Sequence, residues 1–101
     1  MMELTSQTIP VVYVMIMENK NPLSMEVIER HVEHLKLLEA QQELVLCGPM
    51  LDYAGGMVIL RANSKEEADS LAKRDPFIAE GYKTYVLYTL ELADRSNNYL
   101  L

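Results

Sequence analysis

Apolar positions fall along the chain in short runs whose period changes at each polar or glycine-containing break. Ile9 to Met17 is almost wholly apolar, with three valines and two isoleucines, and it closes on Glu18-Asn19-Lys20-Asn21-Pro22. A β-branched run ended by polar turn residues predicts a strand. From Ser24 the chain runs through good helix formers to Gln42 without glycine or proline, and Ser24 suits the N-cap, so a helix is expected over about 24–41. Leu44–Cys47 and Met57–Leu60 read as two short strands of a hairpin, with Gly48-Pro49 and Gly55-Gly56 as turn residues between them. Ser64-Lys65-Glu66-Glu67 has the form of a capping box and starts a second helix. That helix is expected to run to about Arg74, with Lys73 and Arg74 complementing the dipole of its last turn. Tyr82–Leu92 is the final strand.

The order β-α-β-β-α-β predicts an α+β fold of the ferredoxin-like, split βαβ kind: a four-stranded antiparallel sheet with two helices on one face. A sheet with one solvated face alternates apolar and polar residues, and these strands do not. Val12, Val14 and Ile16 point one way and Val11, Tyr13, Met15 and Met17 the other, while Val86, Tyr88 and Leu90 oppose Tyr85 and Leu87. Two helices cover one face only. The second apolar face predicts a homodimer formed sheet to sheet, with higher assembly open.

The length of 101 residues with 50% hydrophobic content fits a single domain, residues 1–101, with 94–101 as a C-terminal tail apolar enough to dock on a partner. A formal charge of −6 and the lack of any basic run argue against nucleic acid and anionic membrane surfaces as partners. The first strand is too short to span a bilayer, and the start of the chain, with Glu3, has no leader-like pattern. The lone cysteine, Cys47, sits in an apolar run and is expected to be a buried thiol, which suits a cytoplasmic protein.

Candidate chemistry centres on two histidines and one aspartate. At 100° per residue the first helix gathers Met25, Ile28, Val32, Leu35 and Leu38 on one arc. His31 lies inside that arc and His34 just outside it, so His31 is expected to face the sheet and His34 to sit at the border. His31 can be a core histidine satisfied by a carbonyl or carboxylate, or a general base and acid whose tautomer is fixed by an aspartate. Asp75 is its best candidate partner. Asp75-Pro76-Phe77-Ile78 also suits a short helix with Asp75 as N-cap and Pro76 in the first position, ending at Gly81. Capping and catalysis are compatible, because a carboxylate has two oxygens. His31 and His34 stand at i and i+3, a metal-compatible spacing, but they lack a third ligand nearby, and no metal site is expected. The glycine pairs do not match a phosphate loop, Cys47 has no activating base beside it, and no Ser-His-Asp triad is legible. Tyr13, Phe77 and Tyr88 are the candidate ligand-binding aromatics, with Tyr85 a further candidate for lining a cavity.

His31 ahead of Gly48-Pro49, then Gly55-Gly56, Ser64-Lys65-Glu66-Glu67-Ala68, and Asp75-Pro76-Phe77 with Gly81 form a combination that resembles the YciI-like (YCII-related) family from Val11 to Leu92. The resemblance implies a ferredoxin-like fold paired as a dimeric α/β barrel, similar to muconolactone isomerase, and a His and Asp pair as the active site. By motif that pair maps to His31 and Asp75. Two positions depart from the pattern: Gln42 stands where many members have Gly before the second strand, and a Ser that some members carry near Gly56 is missing. A characterised relative in that family resembles a lyase that removes chloride from a chlorinated hydroxyquinol. The expected function is therefore a lyase or isomerase acting without a cofactor on a small cyclic or aromatic molecule by proton transfer through His31 and Asp75. The alternative is a non-catalytic dimeric module that binds or senses a small molecule.

Overall fold

The computed structural model describes residues 10–101; the segment through Ile9, including Glu3, lies outside the described residues. Four strands, β1 (Val11–Asn19), β2 (Leu44–Pro49), β3 (Gly55–Leu60) and β4 (Lys83–Glu91), form one sheet in the order β2-β3-β1-β4. Every pairing is antiparallel. Helices α1 (Met25–Ala40) and α2 (Lys65–Lys73) follow β1 and β3, and a single turn, α3 (Pro76–Ala79), precedes β4. This is the α+β, ferredoxin-like arrangement expected from the pattern.

The sheet phase follows the sequence. Tyr13, Met15 and Met17 pack with Val58 and Leu60 against Val27 and Leu38 of α1, Ala68, Leu71 and Ala72 of α2, and Phe77 of α3. The alternate residues look away from the helices, and among them Leu46, Val86, Tyr88 and Leu90 are about half exposed, at 46–56%. One face of the sheet is thus the core, and the other is apolar and partly open, with Val12 buried on it and the flanking strands half exposed.

Local chemistry explains the helix ends. Ser24 Oγ accepts the Val27 amide at 3.2 Å, and Ser64 Oγ accepts the Glu67 amide at 3.1 Å. The Glu67 carboxylate accepts from the Asn63 amide at 2.6 Å, one residue earlier than a reciprocal capping box requires. After α1, Gln42 takes φ +61°, while the Glu43 amide donates to the Leu38 carbonyl and the Gln42 amide to that of Glu39. These are the bonds of a Schellman ending, so this helix closes through a left-handed residue although no glycine is present. The same pair of bonds closes α3 around Gly81, at φ +80°.

Two expectations need correction. Gly48-Pro49 and Gly55-Gly56 are not turn residues but the ends of β2 and β3, where Gly48 pairs with Met57 and Pro49 with Gly56. Pro49 is tolerated because β2 is an edge strand with one side unpaired. Gly55 is required by close approach: a Cβ there would stand 1.9 Å from the Met17 carbonyl oxygen. The inward arc of α1 is also rotated from the expected one. Val27 is fully buried, whereas Met25 and Val32 are exposed, at 68% and 39%. The cause is that α1 packs against α3 as well as the sheet.

Candidate functional site

α1 and α3 bring together residues far apart in the chain. His31 leaves the inward side of α1 one turn beyond Val27, and Asp75 stands at the N-cap of α3. His31 Nδ1 lies 2.9 Å from both Asp75 oxygens. A carboxylate only accepts, so Nδ1 carries the proton and donates to the pair. Asp75 Oδ1 also accepts the Phe77 amide at 3.0 Å, so one side chain caps α3 and holds the imidazole. Asp75 is 1% exposed. Nothing but the imidazole and the Phe77 amide satisfies its carboxylate within hydrogen-bond distance among the described residues.

The Phe77 ring stacks on His31, with centroids 3.9 Å apart and planes 16° from parallel. Arg30 Nη2 and Glu80 Oε1, 2.6 Å apart, tie α1 to α3 beside this stack. Both are about half exposed, so the ion pair adds under about 1 kcal/mol, and its role is to help set the helix angle. Asp75 and Phe77 fix the imidazole plane and its tautomer. Nε2, the remaining nitrogen, makes no hydrogen bond with the described residues.

The imidazole borders a cavity of about 400 Å³ between α1 and the β2–β3 end of the sheet. Its wall is aliphatic and sulfur-rich, from Met17, Ile28, Leu35 and Val58 among others. Among the described residues, His31, Cys47 and Lys83 are the titratable side chains lining it, and Asp75 stays behind the imidazole. Lys83 opens β4, is 8% exposed, and holds its ammonium 4.5 Å from the Phe77 ring centroid, a cation–π distance. Burial pushes the Lys83 pKa below its ordinary value, while the charge of Asp75 pulls the other way.

The expected residues divide into those the cavity gathers and those it does not. His31 and Phe77 line it, with Asp75 directly behind. Tyr13 is buried in the core under the helices and does not line the cavity. Tyr88 is 56% exposed on the open face of the sheet, because its phase along β4 is opposite to that of Lys83. Tyr85 points to the helix side but donates its hydroxyl to Asp69 of α2. Burial, and then that bond, push its pKa up to about 12. Cys47 is exposed rather than buried: it sits on the edge strand at the cavity. Partial burial, followed by the charges of Glu39 and Asp75, raises its thiol pKa, which leaves it a poor nucleophile. His34 is half-buried, at the border where it was expected, with Leu71 nearby; burial lowers its pKa against the pull of Asp75. Among the described residues no three His, Cys, Asp or Glu side chains converge as metal ligands.

Lys83 was not singled out from the sequence. The signal was present, since Lys83 shares the period-2 phase of Tyr85 and Leu87 and so had to face the helices.

A model of the YCII-related domain matches residues 11–91, from the first residue of β1 to the last of β4. The chain belongs to the YCII-related domain family. A YCII-related chain of this kind has a curated relative in Bacillus subtilis (strain 168), the uncharacterized protein YjpA. The two are 33% identical over 69 residues, covering 68% of this chain and 81% of that protein. Among solved structures, the chain is similar to 5-chloro-2-hydroxyhydroquinone dehydrochlorinase from Burkholderia phenoliruptrix AC1100, in complex with 2,5-dihydroxybenzoquinone. The TM-score is 0.64 at 23% identity, covering 86% of this chain and 99% of that one. At this identity the likeness shows a common fold. No helix among the described residues is long and apolar enough to cross a membrane.

Proposed function

We propose that this YCII-related protein is a lyase or isomerase that moves a proton on a small cyclic or aromatic molecule using its own side chains, with no cofactor. The observation that carries this is the His31–Asp75 pair, 2.9 Å from Nδ1 to each oxygen, with the imidazole facing an apolar cavity. Nε2 is the basic nitrogen. It takes a proton from the ligand, the buried carboxylate stabilises the imidazolium that forms, and the proton is then returned to another ligand atom or to a departing group. Positioned acid–base catalysis of this type contributes about 10²- to 10⁴-fold. The aliphatic wall and the Phe77 ring suit a flat, weakly polar ligand. The shared fold with a dehydrochlorinase whose name specifies a chlorinated hydroxyhydroquinone supports the lyase kind and the ring-shaped substrate.

The same proposal takes the chain as one domain, with 94–101 a tail, working as a cytoplasmic homodimer. The open apolar sheet face supports the dimer, and a free thiol at Cys47 suits a reducing compartment.

The test is incubation with 5-chloro-2-hydroxyhydroquinone and a panel of small phenols, lactones and keto acids in deuterated water. Deuterium uptake and chloride release are followed by NMR and ion-selective electrode. Substrates turned over by the native protein are expected to react about 10²- to 10⁴-fold more slowly with folded His31→Ala and Asp75→Asn. Full activity in either variant would sink the proposal. Thermal stabilisation by a ligand that is never altered favours a binding or sensing module instead.

A further inference from the structure

Lys83 is the buried charge for which the His31–Asp75 mechanism has no use. Its side chain is more than nine-tenths covered. Among the described residues its ammonium makes no salt bridge and no hydrogen bond. It lines the cavity that holds the imidazole and rests against the Phe77 ring that stacks on His31. An ammonium taken out of water against an aromatic face, with only the more distant charge of Asp75 to offset burial, is incompletely compensated, because a π face recovers only part of what hydration supplied. An anion arriving in the cavity supplies the missing compensation, and the weakly polar walls strengthen the attraction.

We propose that Lys83 is the anion-anchoring residue of this cavity and that the ligand is a ring bearing an oxyanion, such as a phenolate or an enolate. The ring lies along the aliphatic wall, its oxygen meets Lys83 Nζ, and a neighbouring ring atom faces His31 Nε2. The inference builds on the cavity being the ligand site proposed above. It adds the charge of the ligand and the residue that reads it. Lys83 also faces the place where negative charge develops when a base removes a proton from a ring carbon, so the contact strengthens as the reaction proceeds. The lowered Lys83 pKa fits the same geometry: the ammonium is held against burial, and a bound oxyanion restores it.

The experiment uses the full chain with 4-nitrophenol, whose absorbance reports its ionisation, and with 4-nitroanisole, a similar ring that cannot ionise. Native protein is expected to take up 4-nitrophenol as the phenolate, lowering its apparent pKa, and to bind it at least about tenfold more tightly than 4-nitroanisole. Lys83→Met is expected to bind both rings alike, and Lys83→Arg to keep the preference. If Lys83→Met does not fold, the native and Lys83→Arg comparison still decides, because loss of the pKa shift in both overturns the role. Benzoate separates sources of the anion: Lys83-dependent binding of either phenolate or carboxylate supports the anchoring role. A folded Lys83→Met that keeps the phenolate preference overturns it, as does native protein with none. Equal binding of both neutral and ionised rings removes Lys83 but leaves the cavity as a ring site, and failure of both rings to bind overturns the inference outright. Unchanged turnover in His31→Ala removes the catalytic proposal alone.

Discussion

Asp75 serves the backbone and the imidazole with the same carboxylate, and substitution separates the two duties. Asparagine is as good an N-cap as aspartate, so Asp75→Asn keeps the bond to the Phe77 amide and is expected to cost about 1 kcal/mol or less through the cap. Its amide group, however, donates where the carboxylate accepted. The imidazole then moves its proton to Nε2, the nitrogen that faces the cavity. Imidazole ¹⁵N shifts are expected to show Nδ1 protonated in the native protein and Nε2 protonated in Asp75→Asn. Identical tautomers in the two would contradict the geometry. Asp75→Ala, which orphans both the Phe77 amide and His31 Nδ1, is expected to cost about 2–4 kcal/mol in urea unfolding. Much of this pair was legible in the sequence, since helical phase put His31 inward and Asp-Pro marked a cap. What the phase could not supply was the rotation that leaves Met25 and Val32 exposed, because α3, too short to announce its packing, sets the angle of α1. Lys83 was legible by strand phase but hidden by the habit of counting lysines as surface residues.

The elements end where backbone conformation, rather than composition, makes them end. Gln42 holds a left-handed conformation that glycine adopts at little cost and that an L-residue adopts at about 1–2 kcal/mol. Gln42→Gly is therefore expected to stabilise the protein by about 0.5–1 kcal/mol, read as a rise in Tm of roughly 4 °C. An unchanged or lower Tm would show that the Gln42 side chain compensates elsewhere. Gly55→Ala has no such room, with Met17 carbonyl oxygen 1.9 Å and Tyr53 Cε2 2.7 Å from the new Cβ, and is expected to loosen the β1–β3 pairing. The expected hairpin is present, but its strands run two residues further than the pattern indicates, because glycine and proline signal turns locally, whereas pairing with β1 is a tertiary fact. Extending β2 to Pro49 depends on its edge position, which no local window contains.

The molecule as a whole is a sheet with helices on one side only, and that much was legible from strands that are apolar in both phases. The half-exposed row of Leu46, Val86, Tyr88 and Leu90 is expected to mate with its copy. A stable interface of this sort buries about 1,600 Å² in total, within reach of a four-stranded face. Placing charge in its middle, as in Val86→Lys with Tyr88→Glu, is expected to halve the mass measured by sedimentation while the circular dichroism stays native. A native protein that sediments as a monomer at every concentration would exclude the dimer. The His31, Phe77, Met17 and Val58 walls of the cavity belong to the helix side of the sheet, and the apolar row lies on the other. Association through that row therefore leaves those walls untouched, and the two events share only the strands between them. Ligand affinity should then be the same in dilute and concentrated solution, whereas the melting temperature should climb with concentration by mass action.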